Sequence, residues 1–231
     1  MGSVIGAAYC SGVDPDELRD ISAAWRQRDF FQFGLGSPGI GRIERLRRTV
    51  ARLVPVDDFA TFQIPLTVVC TDLNTGEAVP IRAGSVVDAV SASCSIAGVF
   101  PPVALNGRML VDGGYSGPFH VGLAPLDSQV VVFDPSPDAS RIIPRRSSGV
   151  SLFGGLQLAQ AYFIKGIDII MYRLGRAELA QRPCILVRAP NLGLSALDFS
   201  AGARVIDAYY AAAMQAIEPV LRFGELSQAD S

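Results

Sequence analysis

Between Val86 and Gly114 four local signals follow one another without a gap. From Val86 a short apolar helix gives way to a loop, which Pro101-Pro102 stops. Asn106-Gly107 is a tight hairpin turn, and Met109-Leu110-Val111 is a brief apolar strand that ends on Asp112, followed at once by Gly113 and Gly114. A carboxylate at the tip of a buried strand is costly unless it is paired or used. Two residues without Cβ beside it allow positive φ and let another group approach closely. A general base is often mounted this way, but Asp-Gly is also an ordinary turn, and local sequence leaves both readings open.

The neighbouring segments narrow the choice. Ala92 to Pro102 reads Ala-Ser-Cys-Ser-Ile-Ala-Gly-Val-Phe-Pro-Pro, Ser11 to Leu18 reads Ser-Gly-Val-Asp-Pro-Asp-Glu-Leu, and Ile64 to Glu77 reads Ile-Pro-Leu-Thr-Val-Val-Cys-Thr-Asp-Leu-Asn-Thr-Gly-Glu. In this order the motifs resemble the patatin-like phospholipase family, bacterial esterase branch, over about residues 1 to 135. Ala97 departs from the pattern, which carries proline there. The resemblance implies a three-layer α/β/α domain with a mostly parallel sheet, lacking its first βαβ unit, over residues 1–223, with a polar tail at 224–231. It implies a lipid acyl hydrolase working by a Ser-Asp dyad, with Asp112 as proton acceptor in the Asp112-Gly113-Gly114 motif. Ser93, Ser95, Ala97 and Gly98 become candidates for the wall of its pocket. Lipid or acyl ester is then the expected substrate, and no metal or cofactor is expected.

The nucleophile is the difficulty. A nucleophile elbow needs a strand, Gly-x-Ser-x-Gly and a helix. The chain contains no such run and no Gly-Gly-Gly-x-Arg-Gly oxyanion loop. Matched to the family, Met1 and Gly2 are the elbow's last two residues, and the serine falls one position before Met1. Ser3 lies on the wrong side of Gly2. His120, the only histidine, reads as structural, because a Ser-Asp dyad needs none. Three readings follow: an N-terminally truncated hydrolase, inactive as written; a non-catalytic lipid- or partner-binding remnant; or an interaction protein that completes its sheet with another chain.

The remaining segments read as alternating helices and strands, which suits an α/β domain. Met1 to Ser11 is a helix with small apolar residues nearly all round, and so one that must be buried. Asp14 caps a second helix with Pro15 at its first position and Leu18, Ile21 and Trp25 on one face. Phe30 to Gly41 is an aromatic loop read as docked on the core. Ile43, Leu46, Val50 and Leu53 form a helical stripe whose outer arginines read as a solvated face, with peripheral membrane contact left open. Leu66 to Thr71 is a continuous apolar strand of the kind found inside parallel sheets, and Asp72 and Glu77 belong to the turn after it. Val130 to Asp134 and Cys184 to Arg188 are further strands, Leu156 to Leu179 and Ala201 to Leu221 helices, and Pro135 to Ser151 a loop. With 231 residues and 49% hydrophobic, the chain can bury a sizeable core, and a net charge of −2 gives no electrostatic case for nucleic acid. Cys10, Cys70, Cys94 and Cys184 have no metal or redox spacing and read as free thiols in a reducing compartment. No signal peptide pattern and no apolar run near ~20 residues is visible, so the expected location is cytoplasmic.

Overall fold

The computed structural model describes residues 1–30, 42–135, 152–188, 192 and 201–229. The readings made for Phe31 and Phe33 and for the loop over 136–151 lie outside these residues. Contacts divide the chain into two compact units, Met1–Ser116 with Leu194–Ile206 and Gly117–Gly193 with Asp207–Ser231. The class is mixed α/β, as expected.

The first unit is built around one buried helix and one sheet. Helix α1 (Gly2–Cys10) buries Val4, Ala7, Ala8 and Cys10 and leaves Tyr9 exposed, so it is covered on one side and not all round. Asp14 caps α2 (Pro15–Ala24) by accepting from Asp16 N at 2.9 Å and Glu17 N at 3.3 Å, the arrangement its Asp-Pro-Asp-Glu start predicts. After the short α3 (Gln27–Phe30), the Phe30 ring is fully buried and meets Trp25 edge-on at 5.0 Å, which agrees with docking. Helix α4 (Ile43–Leu53) buries the stripe Leu46, Val50 and Leu53. Its Arg47 pairs with Asp88 and its Arg48 Nε donates to the Glu44 carbonyl at 3.2 Å, as on an ordinary helix surface.

Four strands form the sheet: β1 (Val68–Asp72), β2 (Ala78–Ile81), β3 (Val103–Leu105) and β4 (Arg108–Asp112), in the order β2-β1-β4-β3. Helix α5 (Val86–Ser93) packs on it with Val86, Val87, Ala89, Val90, Ser91 and Ala92 all buried. The Asn106-Gly107 turn joins β3 to β4 with φ of 51° and 73°, both left-handed as a two-residue hairpin turn requires.

The parallel setting expected for Leu66–Thr71 is corrected. Strand β1 pairs antiparallel with β2 (Cys70 opposite Val79) and antiparallel with β4 (Cys70 opposite Asp112). A continuous apolar run reports burial on both faces, and a central antiparallel strand covered on both sides gives the same run. Asp72 is also more than turn chemistry. Its Oδ1 accepts from Asn74 N at 2.9 Å, and its buried carboxylate pairs with Arg108 Nη1 at 3.2 Å, a neighbour from the next strand.

In the second unit, β5 (Val131–Asp134) and β6 (Ile185–Arg188) run parallel, joined through helix α6 (Leu152–Leu179), as a βαβ crossover demands. Buried Asp134 pairs with Arg188, and the Tyr209 hydroxyl donates to the Asp134 carbonyl at 2.6 Å. Tyr209 lies on α7 (Gly202–Ala229), which continues through most of the stretch read as a polar tail.

Candidate active site

Asp112 is the last residue of β4 and is half-buried. Its N–H donates to the Ser95 carbonyl at 3.0 Å, and its own carbonyl accepts from the Thr71 hydroxyl at 2.9 Å. Its Oδ1 accepts from Gly114 N at 2.8 Å and so caps the 3-10 turn Gly113–Tyr115. The Thr71 oxygen in turn accepts from Ser116 N at 3.1 Å. One strand hydroxyl thus fastens both ends of the turn that carries the carboxylate.

Gly113 is required by close approach and not by positive φ. A Cβ there would stand 2.2 Å from the Val69 carbonyl oxygen and 2.8 Å from its carbon, both β1 backbone. Only a residue without a side chain lets the turn lie this close to the central strand.

The start of α1 arrives at the same place. The Met1 amine is buried and lies 3.7 Å from Cys94 Sγ, and Ser3 Oγ lies 3.5 Å from the same sulfur. The Met1 amine is held above its usual range chiefly by Cys94, then against the opposing effect of burial with help from the Asp112 charge. Cys70 is pushed up to about 12, first by burial, then by Asp112 and Cys94. Burial, then the Asp112 charge, also pushes the Tyr115 phenol up, against the opposing hydrogen bond from Ala97.

These shifts make a pH prediction. A group whose pKa is higher folded than unfolded stabilises the fold fully below its unfolded value and loses that contribution as pH rises towards the folded one. Cys10, Cys70 and Tyr115 are all raised. Thermal stability is therefore expected to decline from about pH 9 upward, with Cys70→Ala flattening the decline. Melting curves at intervals between pH 7 and 11 check this; an unchanged slope in Cys70→Ala would contradict it.

Of the pocket candidates, Ser95 and Ala97 reach the turn through their backbones. The Ser95 hydroxyl is turned away and donates to the Ser91 carbonyl at 2.9 Å. Ser93 ends α5 half-buried, and Gly98 is exposed with φ 83°. Gly2 is exposed and Met1 projects its side chain outward at 44% exposure. His120 belongs to the second unit, where its N–H donates to the Glu178 carboxylate at 3.2 Å. A groove of about 480 Å³ is lined by residues of β2, β3 and β4, among them Val79, Ile81, Leu105 and Leu110, and does not include Asp112. No His, Cys, Asp and Glu cluster among the described residues could hold a metal ion, and no helix among them is long and apolar enough to cross a membrane.

Sequence reading missed Thr71 and Tyr115. Thr71 carried a signal, a hydroxyl closing an apolar run, because such a group is buried only with a partner. Tyr115 carried none, since its partner is 18 residues away on a loop.

Comparison with known proteins gives the family. The family model described as patatin-like phospholipase matches residues 1–124. An uncharacterised NTE family protein of Mycobacterium tuberculosis is 32% identical over 129 residues, which cover 54% of this chain and 35% of that protein. An uncharacterised NTE family protein of Mycobacterium bovis is 32% identical over 148 residues, covering 58% of this chain and 24% of that protein. The matched stretch thus spans about a third or less of the length of these curated relatives.

Proposed function

Because the chain belongs to the patatin-like phospholipase family, we propose that it carries the acid half of a lipid acyl hydrolase, with Asp112 as the proton acceptor. The family supports lipid hydrolysis as the general chemistry, and the Ser-Asp assignment is our reading of this site. The observation that carries it is geometric: Ser3 at the start of α1 lies 3.5 Å from Cys94 Sγ, and the next residue, Ser95, accepts from the N–H of Asp112 at 3.0 Å at the end of β4. A serine placed directly ahead of Met1 would stand where the family's elbow serine stands, at the positive end of a helix and beside Asp112.

The steps then balance as follows. Asp112 takes the serine proton while the serine oxygen attacks the ester carbonyl. The alcohol leaves with that proton, and an acyl-serine remains. Water, losing its proton to Asp112, releases the acid and restores the serine. Peptide N–H groups at the start of α1 are suited to stabilise the negative charge that develops on the carbonyl oxygen. The substrate is a lipid or simpler acyl ester, and membrane contact would be peripheral.

A second reading has its own observation. The 231 residues contain no Gly-x-Ser-x-Gly run, and for these residues alone the alternative is a non-catalytic lipid- or partner-binding role. We expect these residues alone to hydrolyse a short-chain p-nitrophenyl ester no faster than buffer, since loss of the nucleophile and of oxyanion donors each costs orders of magnitude. Turnover that persists through repurification and vanishes in Asp112→Asn would contradict this and direct attention to Ser3.

A further inference from the structure

We infer that Tyr115 is a positioning residue for Asp112: its phenolic oxygen ties the turn that bears the carboxylate to the loop Ser95–Val99. The inference rests on the reading of Asp112 as base and adds to it the residue that fixes the wall opposite.

The loop's own hydrogen bonds single this contact out. The N–H groups of Ser95, Ile96, Val99 and Phe100 all donate to backbone carbonyls close by, those of Ala92, Cys94, Ile96 and Ile96. That of Ala97 donates instead to the Tyr115 hydroxyl at 3.1 Å. Ala97 is also the position at which the motif departs from proline, and a proline would have no N–H to be answered. Asp112 N to Ser95 O, at 3.0 Å, is the second tie between the same two segments. Together they close a small ring in which the carboxylate-bearing turn and the loop move as one. Tyr115 is half-buried and is the last residue of the 3-10 turn that Asp112 caps, so its hydroxyl reaches the loop from the turn itself.

The Asp112 charge acts on the Met1 amine, Cys70 and Tyr115, among other groups. None of these three is altered in charge at neutral pH by Tyr115→Phe, which keeps the aromatic ring and deletes only the oxygen.

Two measurements on the folded protein test the inference without needing turnover. In Tyr115→Phe, amide exchange at Ala97 should rise about tenfold or more, because its N–H loses its acceptor. The Asp112 titration, followed by carboxyl carbon NMR, should move by about half a pH unit or more, a change that a purely structural role would not produce. Ala97→Pro deletes the donor in place of the acceptor and should move the Asp112 titration in the same direction. Unchanged Ala97 exchange with an unmoved Asp112 titration in Tyr115→Phe would overturn the inference, as would an Ala97→Pro shift of opposite sign. The base assignment fails separately: in protein that carries a serine directly ahead of Met1, undiminished ester turnover in Asp112→Asn would end it, whatever the NMR shows.

Discussion

Asp112→Asn is expected to lower ester hydrolysis by about two to four orders of magnitude in protein that carries a serine directly ahead of Met1, the range general-base catalysis typically supplies. Asparagine keeps the side-chain oxygen that accepts from Gly114 N, so the 3-10 turn Gly113–Tyr115 keeps its cap. It cannot accept a proton from a hydroxyl at working pH. The loss should therefore appear in turnover, with the melting temperature within a few degrees of the parent. Turnover in Asp112→Asn within a factor of three of the parent would show that another group takes the proton.

Gly113→Ala is expected to be the most destabilising single methyl in the first unit. The new Cβ would stand 2.2 Å from the Val69 carbonyl oxygen, and neither partner can yield easily. Val69 is held in ladders with β2 and lies beside the β4 pairing, while Gly113 is fastened through Asp112 and Thr71. Overpacking against backbone costs about 3 kcal/mol or more when neither side can move. Gly166→Ala, in helix α6 with no atom within 4 Å of the added carbon, is the matched control and should be neutral or slightly stabilising. Urea unfolding of both variants checks the pair; equal midpoints would contradict the tight fit.

Local chemistry was legible in the residues, and pairing over distance was not. Asp14 as a helix cap, Asn106-Gly107 as a hairpin turn and the apolar helix before Ser93 follow from φ preferences and side-chain acceptors within four residues. The antiparallel setting of β1 was hidden because an apolar run records burial and carries no direction. The Thr71 clasp joins residues 41 to 45 positions apart, and the Asp72–Arg108 pair spans 36. A buried hydroxyl or carboxylate in a strand announces that a partner exists and does not say which one. The glycine pair after Asp112 was read as allowing both positive φ and close approach, and Gly113 uses the close approach alone.

The family motifs located Asp112, and the geometry added what surrounds it: the start of α1, Cys94, Cys70 and Tyr115. That convergence is most directly tested by covalent labelling. Protein carrying Gly-x-Ser ahead of Met1 is treated with a fluorophosphonate, and the modified peptide is located by mass spectrometry. The account predicts one label, on the serine directly before Met1, formed far more slowly in Asp112→Asn. Label on Ser3 or on a serine elsewhere, or labelling of the new serine at the same rate in Asp112→Asn, would contradict it.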